Sequence, residues 1–202
     1  PELIIQNYGA DAVRLFILSD SPPEKDIQWS EQGMVASYKF IQKLWILHEK
    51  IKDNINNKSN NLDLENNFER FINETISKFD YNLEKFNYNV LIACIYETYN
   101  FLNNILESKI NGEILLKNYI KILTIITPIV PHFSTECFDN LGINKIPNWP
   151  EVDKNKTKID KVNFVIQING KKKATISSEY NINQKDLVHQ LTNDKNLSKL
   201  IL

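Results

Sequence analysis

The chain has 202 residues, 42% of them hydrophobic, enough for one large or two small packed domains. Its formal charge is -1, so no overall basic excess advertises nucleic acid, although phosphate binding depends on where lysines cluster, not on their total. Cys94 and Cys137 are the two cysteines; they exclude a disulfide framework and read as buried thiols of a reducing compartment. No apolar run is long enough for a membrane-spanning helix.

Pro1 suits a first helical turn and Gly9 the place just past a helix end, so residues 1–8 are expected to form a short helix. Asp11 reads as the cap of a second short helix through Leu18, with Ala12, Leu15 and Leu18 sharing a face. Ser21-Pro22-Pro23 is an extended break. Ser30 caps a long helix running to about Ile55, with Glu31 set against its dipole. Met34, Tyr38, Ile41 and Trp45 form one apolar seam, and Phe40, Leu44, Leu47 and Ile51 the next, the broad stripe of a bundle helix. Residues 54–61 are a polar loop. The helix after it turns Phe68, Phe71, Ile72, Ile76, Phe79 and Leu83 to the core. Asn89 is the expected cap of the following helix, which runs to about Leu106. Ile110-Asn111-Gly112 is a turn, and residues 113–126 form a helix that ends at Thr127-Pro128. Pro131 opens a last bundle helix through Leu141, stopped by Gly142.

After Trp149-Pro150 the pattern changes. Residues 153–160 form a charged linker, and Val162 to Ile168 is rich in β-branched residues. Asn169-Gly170 is a strong hairpin turn, Lys171 to Ile176 returns as the partner strand, and Asn183 to about Asn193 reads as a helix. The expected fold is therefore mainly α: an antiparallel helical bundle followed by a small, truncated α/β domain that starts with a β-hairpin. The domain limits fall at 1–29 for junction helices, 30–150 for the bundle, 151–161 for the linker and 162–202 for the small domain. A lone hairpin needs a third strand or a packed helix, and little chain follows this one. With an opening of Pro1-Glu2-Leu3 and no methionine, the chain is expected to be a piece of something longer.

No catalytic or metal constellation emerges. There is no P-loop and no G-x-G-x-x-G. His48, His132 and His189 fall in three different helices, and His132 reads as a first-turn residue with local hydrogen bonds. Asp11 and Arg14, three apart, read as a cap with a local ion pair. Cys94 reads as a small apolar filler. The lysines carry more. Lys39 and Lys43 lie one turn apart on the polar side of the long helix. Lys171, Lys172 and Lys173 follow the hairpin turn, where strand alternation turns at least one of them away from the others. The residues alone leave phosphate contact and plain solubilisation both open.

Tyr8-Gly9-Ala10-Asp11-Ala12-Val13-Arg14 resembles the Y-G-A-D-x-x-R signature of class I aminoacyl-tRNA synthetases. Ser21-Pro22-Pro23-Glu24-Lys25-Asp26-Ile27-Gln28-Trp29-Ser30, with Gly33, is similar to S-P-P-E-K-D-x-x-W-S-x-x-G of the leucyl enzymes. Thr127-Pro128, Pro131-His132 and Glu136 resemble the T-P-H-x-x-E-E-L-W helix start of that family, with Phe138 in place of its Trp and Thr135 in place of its first Glu. Val165-Ile166-Gln167-Ile168-Asn169-Gly170-Lys171 is similar to the V-x-V-Q-V-N-G-K hairpin of bacterial-type members; Lys173 stands where they usually carry Arg, keeping charge without the bidentate fork.

This resemblance to the leucyl-tRNA synthetase family spans nearly the whole chain. It implies a leucine–tRNA ligase whose ATP, Mg and leucine are bound by upstream domains, with no catalytic residue, metal ligand or cofactor in this fragment. It implies an anticodon-binding-type bundle with tRNA(Leu) as partner. Lys39 and Lys43 would be positioning contacts on its phosphates, and Lys171, Lys172 and Lys173 would touch its corner, in recognition by A-form shape and backbone. A cytoplasmic monomer without a membrane partner is expected. The alternative is a free-standing RNA-binding or scaffold module derived from such an enzyme.

Overall fold

A computed structural model describes residues 2–20, 25–156, 161–168, 171–179 and 182–193. The chain divides into two compact units, Pro1–Thr157 and Lys158–Leu202. In the first, α1 (Glu2–Tyr8) and α2 (Ala10–Asp20) precede α3 (Glu31–Asn54), α4 (Leu62–Glu84), α5 (Tyr88–Glu107), α6 (Gly112–Ile126) and α7 (Pro131–Asn140). In the second, β1 (Lys161–Ile168) and β2 (Lys171–Glu179) pair antiparallel and precede α8 (Gln184–Asn193).

Local chemistry sets most of the helix ends. Gly9 has φ +80 and its N–H donates to Ile5 O, closing α1 with the one residue type that takes this conformation freely. Gly142, at φ +74, does the same after α7. The Ser30 hydroxyl accepts from Gly33 N at 3.1 Å to cap α3, and Asn61 and Asn111 cap α4 and α6. The residues flanking α5 depart from expectation. Asn89 lies inside that helix, which starts at Tyr88 after Asn87. The α4–α5 connection is so short that Phe86 takes φ +56, and the Asn87 amide donates to Asn82 Oδ1 instead of capping. Ser21-Pro22-Pro23 and the Asn169-Gly170 turn lie outside the described residues.

The bundle closes around the apolar stripes. Phe40, Leu44, Leu47 and Ile51 of α3 meet Phe68, Ile72, Ile76 and Phe79 of α4 in one cluster with the inner faces of α5, α6 and α7. Ala12, Phe16 and Met34 make a smaller core where α2 crosses the start of α3. Gly33 is placed by that crossing, since a Cβ there would stand 2.7 Å from the Phe16 ring. A second close approach joins the far end: a Cβ on Gly112 would lie 2.1 Å from the Ile55 carbonyl oxygen. Gly112 N donates to Asn57 O and the Asn111 amide to Ser59 O, which laces the α3–α4 loop to the start of α6. Residues 151–156, read from the sequence as the start of a linker, run back along α4. Asp153 N donates to Asn73 Oδ1 at 2.8 Å, Lys156 pairs with Glu69, and Val152 packs on the core.

One polar network crosses the core. His48 is fully buried on α3, with Nε2 3.1 Å from Asn140 Oδ1 and Nδ1 3.0 Å from the Tyr119 hydroxyl. The amide oxygen only accepts, so Nε2 carries the proton and Nδ1 of the neutral ring accepts from Tyr119. Cys137 Sγ lies 3.9 Å from the same hydroxyl. Burial pushes the Cys137 thiol up to about 12 and the Cys94 thiol up as well, so both are inert apolar filler.

In the second unit a side-chain hydrogen bond ties the hairpin to α8. Ser178 Oγ donates to Gln190 Oε1 at 2.8 Å, and Leu191 is buried. Asn183 caps α8 through Asp186 N. The strand register slips between Ile166 and Gln167, which face Ala174 and Lys172, so Lys173 is the extra residue of a β-bulge.

Gly112→Ala is expected to destabilise the bundle by about 1–3 kcal/mol, because backbone and not a pliable side chain blocks the methyl; the midpoint of urea unfolding measures it. Burial also lowers the pKa of His48 from its ordinary 6.5, although its bond to Asn140 opposes the shift. The unfolded chain therefore binds a proton that the folded chain refuses. Stability is whole above 6.5 and falls as the pH drops from there toward the folded pKa. His48→Gln should show a shallower loss of stability between neutral and acid pH than the parent, followed by urea unfolding across that range.

Candidate nucleic-acid interface

Two residues of one turn of α2 are the most constrained polar groups near the junction. Asp11 is expected from the sequence to cap its own helix, but α2 begins at Ala10 and the carboxylate points elsewhere. Asp11 Oδ2 accepts from Phe133 N at 2.6 Å, and Oδ1 accepts from His132 N at 3.3 Å and from His132 Nδ1 at 3.0 Å. It caps α7, whose own flanking residue, Val130, offers no side-chain acceptor. Pro131 at the first position spares one donor, and the borrowed carboxylate satisfies the next two. Arg14 is not an ion-pair partner of Asp11 either. Its Nε donates to Ile129 O at 3.0 Å and its Nη2 to Pro128 O at 2.6 Å, on the corner that follows α6. The acid thus sits at a helix N-terminus and the base beside a helix C-terminus, each matched to the local dipole. The His132 contacts expected to be local instead reach across the fold, through both its backbone N–H and its ring.

Beside this clamp an open groove of about 760 Å3 runs between the α1–α2 junction, α3 and α7, lined by Tyr8, Trp45, Ile46, His132, Phe133 and Glu136 among others. Trp45 is half-buried at its wall, 5.2 Å from the His48 ring and 6.4 Å from the Phe133 ring. Among the described residues no three His, Cys, Asp or Glu side chains converge as a metal site would require. His48, His132 and His189 stand on α3, α7 and α8.

The lysines singled out from the sequence are all on the surface where their side chains are described. Lys39 and Lys43 are exposed on α3, outside its buried face, and neither has a hydrogen bond or ion pair among the described residues. Lys172 and Lys173 are exposed on β2. Lys171 pairs with Ile168 next to the turn, and its side chain lies outside the described residues. The bulge interrupts the alternation expected of three consecutive strand residues.

Among the described residues of the first unit, seven helices form a bundle with a clamped corner and with Lys39 and Lys43 exposed on α3. Residues 65–189 match the family model described as the anticodon-binding domain of tRNA ligase, and the chain belongs to that family. It is 33% identical over 215 residues to the leucine–tRNA ligase of Petrotoga mobilis, 32% over 223 residues to that of Brachyspira hyodysenteriae, and 28% over 216 residues to that of Prochlorococcus marinus. Each alignment takes in 100% of this chain, which spans about a quarter of the relatives' length: 26%, 26% and 25%. The fold is similar to that of agnB2 LeuRS of Agrobacterium radiobacter K84, crystallised as a ternary complex with tRNA and LeuAMS. The TM-score is 0.80 at 21% identity, covering 100% of this chain and 27% of that one.

Asp11→Ala is expected to lower stability by about 1–3 kcal/mol, since it strips the cap from α7 and leaves the buried Phe133 N–H without an acceptor. A thermal melt of the variant against the parent measures it; an unchanged midpoint contradicts the assignment.

Proposed function

We propose that the chain is a tRNA-binding region of a leucine–tRNA ligase, and that it holds tRNA(Leu) while other parts of the enzyme carry out the chemistry. The alignment of leucine–tRNA ligases along the whole length of the chain is the observation that carries this reading. The unpaired, exposed Lys39 and Lys43 on α3 support it, as do Lys172 and Lys173 at the bulge. Ammonium groups at fixed positions on a rigid bundle read the spacing of a phosphate backbone and not its bases. ATP, Mg and leucine belong to the intact ligase, and no residue of this chain is assigned to them. By itself the chain binds and does not catalyse. Among the described residues no helix is long and apolar enough to cross a membrane, and a cytoplasmic site of action accords with the proposal.

The test is fluorescence anisotropy of the full chain with a leucine tRNA transcript over a salt series. Binding should weaken steeply with salt, as phosphate neutralisation demands. Lys39→Gln/Lys43→Gln should lose affinity, and so should Lys171→Ala/Lys173→Ala, with melting unchanged. Affinity indifferent to salt, or equal in both variants to the parent, contradicts the proposed role of these lysines.

A further inference from the structure

One stripe of α4 holds the segment that follows α7. Asp80, Asn73 and Glu69 stand seven and four residues apart, a spacing that sets all three on one side of a helix. The Trp149 indole N–H donates to Asp80 Oδ1 at 2.7 Å, the Asp153 backbone N–H donates to Asn73 Oδ1 at 2.8 Å, and Lys156 Nζ pairs with Glu69 Oε2 at 2.5 Å. Residues 149–156 therefore run antiparallel to α4 as a strap. Asn73 is 2% exposed and its amide donates to Glu69 O, so its oxygen is left for a donor from outside the helix. Between the outer two bonds Val152 packs on the core. The end of the strap turns on itself. The Asp153 carboxylate accepts from Asn155 N and the Asp153 carbonyl from Lys156 N, and this turn brings Lys156 to Glu69.

A segment with the composition of a linker is thereby built into the first unit. Four residues, 157–160, separate the strap from β1, and release of the strap would make that tether twelve residues, 149–160. When two linked modules bind one ligand, the second binds at an effective concentration that falls roughly as the −3/2 power of tether length. A threefold longer tether lowers it about fivefold. We propose that Glu69, Asn73 and Asp80 are positioning residues for tRNA binding: by holding the strap on α4 they keep the tether between the two units short while both units hold one tRNA. This rests on the tRNA-binding reading, with Lys39 and Lys43 in the first unit and Lys171, Lys172 and Lys173 in the second. It goes beyond that reading by assigning a role to two carboxylates and an amide whose own charge does not favour phosphate.

The experiment compares the full parent chain with Glu69→Gln/Asn73→Ala/Asp80→Ala and with a chain carrying eight Gly/Ser residues inserted between Lys156 and Thr157, which lengthens the tether and leaves α4 untouched. Binding is read by anisotropy with the leucine tRNA transcript, and release of the strap by the rate of tryptic cleavage after Lys154. The triple variant should be cleaved faster and should bind about fivefold more weakly, although loss of two negative charges would by itself strengthen phosphate binding. The insertion should cost about the same. Triple variant and insertion together should cost about tenfold and not the product of the two, because both act on one tether length. Triple variant and insertion both equal to the parent, while Lys171→Ala/Lys173→Ala weakens binding, overturn this inference and leave the tRNA reading standing. Tighter binding by the triple variant, or unchanged cleavage after Lys154, overturns it as well. Failure of the parent itself to bind the transcript overturns both.

Discussion

Helix ends are where a bundle is weakest, because each leaves backbone donors or acceptors without partners inside the helix. The corner between α6 and α7 concentrates that problem: one helix stops, a four-residue turn follows, and the next begins with no capping side chain of its own. Both halves are solved from outside, by one turn of α2. Asp11 supplies the acceptor for α7, and Arg14 supplies donors for the Pro128 and Ile129 carbonyls. Because the two side chains leave the same helix turn, the position of α2 is set against two bundle helices at once. The small core of Ala12, Phe16 and Met34 and the groove beside Trp45 both depend on that placement.

The rest of the first unit extends the same logic to its other end. Gly112 lets α6 start in contact with the Ile55 carbonyl, and Asn111 ties the α3–α4 loop down. Between the two ends the His48–Tyr119–Asn140 network joins α3, α6 and α7 through a neutral imidazole. Lys39 and Lys43, proposed to meet RNA, therefore project from a helix whose axis is held at both ends and in the middle. This is the physical requirement for reading a backbone by shape, where misplacement of charge is lost affinity.

Much of this was legible in the residues, and the failures share a cause. Helix spans, the cap at Ser30, the stops at Gly9 and Gly142, and the stripes of α3 and α4 all follow from chemistry within a few residues of each other. Asp11 was misread because its partners stand 121 and 122 residues away, and a short-range rule assigned the carboxylate to its own helix. Gly33 belonged to a recognisable motif, yet only the packed Phe16 ring explains why nothing larger fits. Asn89 lost the capping position because the tight turn at Phe86 moved the start of α5 ahead of it. The bulge at Lys173 depends on strand register, which three adjacent lysines do not encode.

The central claim is that a side chain of α2 caps α7 across the fold. Native-state hydrogen exchange of the Phe133 amide tests it most directly, read in the parent and in Asp11→Ala. The carboxylate bond at 2.6 Å requires Phe133 to be strongly protected in the parent and to exchange by local opening in the variant. Amides in the middle of α5, such as those of Ile95 and Thr98, should keep their order of protection. Equal protection of Phe133 in both proteins would contradict the account.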